Sequence, residues 1–230
     1  MICCVFLESE PTTIFFMPTP IVISCFDLTT TLVQPWADAG YLCYCVDLQH
    51  PPGETRDGNI IRVGTDVREW LPPYGPVAFA AFFPPCTDTA ISGRAHFRRK
   101  GLGSVIKALQ LFEWSARLAA WCQAPYFIEN PVSTVSTYWR PPDFRFDPCD
   151  YAGYLPPERQ LNEAYTKRTC LWTGGGFQLP EQKAVVPILG SKMHNLPDSK
   201  NRANLRSATP AGFARAVFEA NCPVLIPASQ

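Results

Sequence analysis

Val77-Ala78-Phe79-Ala80-Ala81-Phe82-Phe83 is an unbroken apolar run that stops against Pro84-Pro85-Cys86. Seven apolar residues without alternation leave no face for water, the pattern of a strand covered on both sides in a parallel sheet. The prolines end it, since neither offers an N–H to a ladder. Outward from this run the pattern recurs: Ile21–Cys25, 41–48 and 60–63 lie upstream, and 126–128 lies downstream. Residues 104–122 place Val105, Leu109, Phe112, Ala116 and Ala119 at helical spacing, with Lys107, Glu113 and Arg117 at polar positions. Near the C-terminus Thr209-Pro210 reads as an N-cap followed by proline at N1, opening a helix through Phe213, Val217 and Phe218. There are no internal repeats. Strands and helices in this rhythm predict an α/β fold, a Rossmann-like doubly wound sheet in one domain over 1–230.

Composition agrees with one such domain. A chain of 230 residues buries roughly 70% of its unfolded surface. At 47% hydrophobic and 17% charged it is neither disordered nor fibrous. Twenty basic residues balance twenty acidic ones, which excludes a strongly basic nucleic-acid module but leaves room for a local basic groove. The 24 prolines punctuate short elements and build no polyproline tract. Residues 11–26 carry no charge, yet Pro11, Pro18 and Pro20 interrupt them and the run is too short to span a bilayer. Glu8 and Glu10 stand where an export signal places basic residues. The sequence therefore predicts no export and no membrane segment, and a cytoplasmic protein. The ten cysteines then read as reduced core thiols. Cys43, Cys45 and His50 lie close together, but no second pair with ligand spacing accompanies them, so no metal is expected.

In a doubly wound sheet, reactive residues gather at the C-terminal ends of the strands. Those ends read Phe26-Asp27, Asp47, Asp66, Pro84-Pro85-Cys86 and Glu129-Asn130. Asp47 lies about twenty residues beyond the first turn, where an acidic side chain accepts from ribose hydroxyls. Each residue also has an ordinary reading: an aspartate as a turn former, a cysteine as packing, a glutamate as solvated surface. Their order, one per strand end, gives the set its meaning.

That ordered set resembles the DNA cytosine-5 methyltransferases. Phe82-Phe83-Pro84-Pro85-Cys86 looks like the family's nucleophile motif, and Phe127-Ile128-Glu129-Asn130-Pro131 like its glutamate motif. Lys167-Arg168-Thr169-Cys170-Leu171-Trp172 falls where the family has an arginine motif leading into a strand. Arg206-Ser207-Ala208-Thr209-Pro210 stands where the last motif returns to close the cofactor pocket. Over nearly its full length the chain is most similar to short, phage-type members.

The resemblance implies the class I S-adenosylmethionine-dependent methyltransferase fold and methyl transfer to C5 of cytosine in DNA, with low or short sequence specificity. Cytosine C5 is a poor nucleophile, so the Cys86 thiolate would add to C6 first. Glu129 would hold and protonate N3, and Arg168 would contact the base carbonyl or the adduct. Phe26 would pack the adenine of the donor, Asp47 bind its ribose and Asp66 accept from its amine. Asp27, Thr29, Thr31, Leu48, Val67, Pro84, Ser207 and Thr209 would complete the donor pocket. Cytosine in a duplex must be flipped out to react. Arg94, His96, Arg98, Arg99 and Lys100, between two glycines, would hold phosphates on the mobile loop the family places there, or form a solvated basic loop. The implied protein is a monomer in a bacterial or phage-infected cell.

Two departures leave alternatives open. The family's glycine-rich donor loop is here Phe26-Asp27-Leu28-Thr29-Thr30-Thr31, which implies a reshaped or weakened pocket, or a modified donor. Only 174–204 is available for target recognition, a reduced insert too short for its own core. Recognition is then rudimentary, or comes from 133–161, or the substrate is a free deoxycytidine nucleotide or single-stranded DNA. The polar run from Ser191 through Lys192 and His194 to Lys200 and Arg202 is a phosphate track or an exposed loop. A catalytically weak DNA- or donor-binding protein is the remaining alternative.

Overall fold

The computed structural model describes residues 20–223. The export reading of 1–19, Cys3 and Cys4, and the ends of the 1–230 domain lie outside the described residues. An eight-stranded sheet runs through the centre. Its strands are β1 (Ile21–Cys25), β2 (Leu42–Val46), β3 (Gly53–Asp57), β4 (Ile60–Gly64), β5 (Val77–Phe82), β6 (Tyr126–Pro131), β7 (Phe144–Phe146) and β8 (Thr169–Gly174). They lie in the order β3-β4-β2-β1-β5-β6-β8-β7. Neighbours in the run β4-β2-β1-β5-β6 are parallel, while β3 and β8 enter antiparallel. The predicted strands are all present, and the strand order reverses between β1 and β5, the switch point of a doubly wound sheet.

Burial follows the pleat. Val22, Phe79, Ala81 and Phe127 face one core, and Ile23, Ala80, Phe82 and Ile128 face the other. The described residues form seven α-helices, α1 (Gln34–Asp38), α2 (Phe97–Lys100), α3 (Leu102–Cys122), α4 (Val135–Tyr138), α5 (Pro157–Gln160), α6 (Arg202–Ser207) and α7 (Ala211–Asn221), of which α1, α3, α4 and α7 bury residues. On the first face Trp36 of α1 stacks on Phe79 and meets Phe218 of α7 edge-on. On the second lies α3, whose buried seam is Ala108, Phe112, Ser115, Ala119 and Cys122. The predicted stripe shares Phe112 and Ala119 with it but was centred one step away. Small residues at 108, 115 and 119 let the helix lie close to the sheet, while Val105, Leu109 and Ala116 flank the contact.

The start of α7 corrects the capping expectation. The helix begins at Ala211, Pro210 occupies the N-cap position, and Thr209 makes no cap. The carboxylate of Glu163 instead accepts from the N–H groups of Ala211 at 2.5 Å and Gly212 at 2.9 Å. A Cβ at Gly212 would stand 2.4 Å from the Tyr151 carbonyl oxygen, so only glycine lets the helix start this close to its cap. Replacing Glu163 with alanine leaves two enclosed donors without acceptors. We expect a loss of about 1–2 kcal/mol and a melting temperature lower by several degrees, with Glu163→Gln closer to wild type, as calorimetry would show.

Residues 174–204 are no appended unit. Phe177 packs against Phe79, Phe127 and Phe144. From there the chain runs as a strap over 149–166: Gly153 N–H donates to Lys183 O, Val185 N–H to Cys149 O and Leu189 N–H to Ala164 O. Gln178 and Asn221 exchange two hydrogen bonds at 2.8 and 2.9 Å. The segment 133–161 is likewise built into the body, through α4, β7 and the turns that Tyr151 fixes against Phe213. Among the described residues no helix is long and apolar enough to cross a membrane.

Candidate active site

Two adjoining clefts open at the C-terminal edge of the sheet. The first, about 330 Å³ and open to solvent, lies over the switch point and is lined by Phe26, Asp27, Leu28, Thr29, Asp47, Gln49, Phe83, Asn204, Ser207 and Thr209. The second, about 240 Å³, shares Phe83, Ser207 and Thr209 with it and adds Glu129, Phe146, Lys167, Thr169 and Pro210.

The loop after β1 is organised by Asp27. Its buried carboxylate accepts from Ser24 Oγ at 2.8 Å, Thr29 Oγ1 at 3.2 Å and the Thr30 N–H at 2.9 Å. Burial pushes this carboxyl up, and the three hydrogen bonds pull it back. His50 Nε2 lies 3.1 Å from the Asp27 carbonyl oxygen, and Cys43 Sγ turns to the carbonyls of Val33 and Tyr41. Among the described residues no group of three or more His, Cys, Asp or Glu is placed to hold a metal. Where glycines are absent the backbone still takes the left-handed turn: φ is 59° at Phe26 and 58° at Thr30. A phenylalanine and a β-branched residue in that region store strain of order 1 kcal/mol each, as functional turns often do.

Across the cleft, Asp47 Oδ1 accepts from the Gln49 N–H at 2.7 Å. Gln49 and Asn204 pair amide to amide, Nδ2 of Asn204 lying 2.9 Å from Oε1 of Gln49, so α6 is tied over the cleft mouth. Neither residue was expected from the sequence, because they lie 155 positions apart. Of the other expected donor-pocket residues, Ser207 and Thr209 line both clefts, and buried Pro84 presents its carbonyl to Asn130 Nδ2 at 3.0 Å. Pro84, Leu48, Thr31, Asp66 and Val67 do not line either cleft. Leu48 is 71% exposed, and Thr31 donates its N–H to Thr29 Oγ1. Asp66 is engaged by the Arg68 guanidinium, which lowers its pKa. Val67 is a core residue whose carbonyl accepts from Trp114 Nε1.

Cys86 follows β5 in a turn closed by its own carbonyl, which accepts from the N–H groups of Thr89 and Ala90 at 3.1 and 2.8 Å. That turn is docked on the segment after β6. Thr134 N–H donates to Thr89 O, Ile91 N–H to Val132 O, and Thr89 Oγ1 to Asn130 Oδ1. Burial raises the Cys86 thiol above its ordinary value and the charge of Glu129 adds to the rise; Lys167, a backbone hydrogen bond and Arg206 oppose it. Cys86 lines neither cleft, whereas Glu129 and Lys167 both line the second.

Glu129 is half-buried as a residue, but its Oε1 is fully enclosed and has no hydrogen-bond partner. Burial raises its pKa and Lys167 offsets part of the rise. The cation at this site is Lys167, not Arg168. Approaching β8, residues 167 and 169 point one way into the second cleft and 168 the other, as the period of two requires. Arg168 is exposed and pairs with Asp147 at 3.5 Å. The basic stretch lies outside both clefts: Arg94, His96, Arg98 and Arg99 are exposed, while Lys100 Nζ is held by Asp88 at 2.5 Å and by the Thr87 carbonyl. Of the run 191–202, Lys192 caps the Asn162 carbonyl and Arg202 pairs with Asp198. Neither a protein-family model nor a curated protein matches this chain.

Proposed function

We propose that the protein transfers a methyl group from S-adenosylmethionine to C5 of cytosine through a covalent Cys86 adduct. The observation that carries this reading is the enclosed, unpartnered Glu129 Oε1 beside Lys167 and within electrostatic reach of the Cys86 thiol. An unmet buried carboxylate oxygen is costly, and a ring N–H of the right shape would meet it. The class I methyltransferase form of the doubly wound sheet belongs to the same proposal.

For the donor, the first cleft fits a nucleoside in part. Asp47 offers a carboxylate to a ribose diol and Phe26 a flat apolar face, while Asp66 is turned away to Arg68. S-adenosylmethionine supplies an electrophilic methyl group. The Cys86 thiolate would attack C6 of cytosine as a carboxyl proton of Glu129, which lines the second cleft, passes to N3, so that the ring's electron pair is directed to C5. After the methyl group is gained, loss of the C5 proton to a base expels Cys86 as thiolate, and N3 returns its proton to Glu129, which restores the ring. Lys167 favours the charged forms of both groups. The protein would act as a monomer in the cytoplasm of a bacterial or phage-infected cell.

The test is mass spectrometry of nucleosides from DNA incubated with the protein and S-adenosylmethionine, beside a Cys86→Ala control. A Cys86-dependent 5-methylcytosine peak is expected; an unmodified digest from folded protein, also with free deoxycytidine nucleotide, would refute the reading. A second check is the pH profile. The active form pairs thiolate with neutral carboxyl, so the bell-shaped rate depends on both groups as a coupled pair. Removing the Lys167 cation raises both pKa values, and Lys167→Met is expected to move both limbs to higher pH.

A further inference from the structure

β5 and β6 pair as far as Phe82 and Ile128 and no further. Pro84 and Pro85 have no N–H to carry the ladder on, and the carbonyl of buried Pro84 needs a donor from elsewhere. The side chain of Asn130 supplies it, Nδ2 donating to Pro84 O at 3.0 Å. Asn130 is only 1% exposed, and its Oδ1 accepts from the equally buried Thr89 Oγ1 at 3.4 Å. One enclosed amide thus grips the chain two residues before Cys86 and three residues after it.

The period of two along β6 gives this grip its meaning. Residues 129 and 130 are neighbours in the strand and point to opposite sides, so Glu129 reaches the second cleft while Asn130 reaches the Cys86 turn. The strand end that carries the carboxylate therefore also sets where the thiol stands. From Thr89 onward the turn has further support, because Thr134 N–H donates to Thr89 O and Ile91 N–H to Val132 O. Removing the amide loosens the approach to Cys86 without undocking the turn.

We propose that Asn130 is a positioning residue that fixes the Cys86 thiol relative to the Glu129 carboxyl without touching substrate; its effect on turnover rests on the cytosine-modifying reading of the site. The test is iodoacetamide labelling of Cys86 against pH, read by peptide mass spectrometry on the full chain without donor or DNA. In the wild-type background Glu129→Gln should lower the Cys86 titration midpoint, since the charge of Glu129 opposes the thiolate. In Asn130→Ala the same substitution should shift it by clearly less, a loss of coupling that a merely structural role would not produce. Should Asn130→Ala lose its cooperative melting curve, Asn130→Leu, of similar shape and without the amide, replaces it in the cycle. For turnover, Asn130→Ala should lower kcat about 10²-fold, the scale of an ångström of misplacement, with KM little changed.

Full coupling in the folded Asn130 variant, no shift on Glu129→Gln in the wild-type background, or a raised KM with unchanged kcat would overturn the proposal. The titration is read without turnover. A missing 5-methylcytosine peak beside lost coupling therefore counts against the catalytic reading alone, and methylation beside intact coupling counts against the role of Asn130 alone.

Discussion

Cys86→Ala is expected to abolish 5-methylcytosine formation, lowering the rate by at least ~10³-fold, while the protein stays folded. Without a thiolate at C6 nothing renders C5 nucleophilic, and no second group replaces covalent activation. The structural role of this residue belongs to its backbone: the carbonyl closes the turn with Thr89 and Ala90, and alanine keeps that carbonyl. The melting temperature should therefore fall by no more than about 2–4 °C, the scale of one lost sulfur contact in a chain of this length. Activity at the wild-type rate would place the nucleophile elsewhere. Cys25, Cys43, Cys45, Cys122, Cys149 and Cys170 are buried free thiols, and replacing any of them with alanine should cost stability but not chemistry.

The second large effect has two opposite signs. On the proposed reaction Glu129→Gln removes the proton donor for N3, and the rate should drop at least ~10²-fold. Stability should move the other way. Because burial raises the folded-state pKa of Glu129, the folded protein binds a proton that the unfolded chain releases more readily. The favourable contribution is full below the ordinary carboxylate pKa and is lost as pH rises through the raised one, so at neutral pH the carboxylate is a burden. The neutral amide escapes that burden. Glu129→Gln should melt a few degrees above wild type at pH 7.5 and at nearly the same temperature at pH 4, measured by calorimetry. A variant less stable than wild type at pH 7.5 would mean the carboxylate has a stabilising partner when charged. Both outcomes together would mark Glu129 as kept for chemistry and not for stability.

The architecture was legible because β1, β2, β4, β5 and β6 are apolar on both faces, and such runs have few other uses. The β3–β4 hairpin was missed although Gly58-Asn59 marks a two-residue turn, with Gly58 at φ 57°. Gly53–Asp57 is exposed throughout and carries charge, so apolar pattern could not find it. Strand ends announced Phe26, Asp27, Asp47 and Glu129, since each follows or lies in a buried run. Lys167 was hidden by its neighbour: a motif of residue types favoured Arg168, while the strand's alternation turns Lys167 inward. Glu163 and the Gln49–Asn204 pair were not legible, because their partners are supplied by the tertiary fold and not by nearby sequence.

The meeting of α1 with α7 also has a consequence for synthesis. Trp36 rests on Phe218, and Tyr41 Oη donates to the carbonyl of Pro223, nearly the whole described chain away. The first face of the sheet therefore cannot be sealed while the ribosome still holds α7. Until α7 emerges, Val33, Trp36 and Phe79 lack their cover, and closure must overcome the entropy of a long loop. A nascent chain stalled before Ala211 should remain protease-sensitive through β1 and β2 and become resistant only when the last helix emerges.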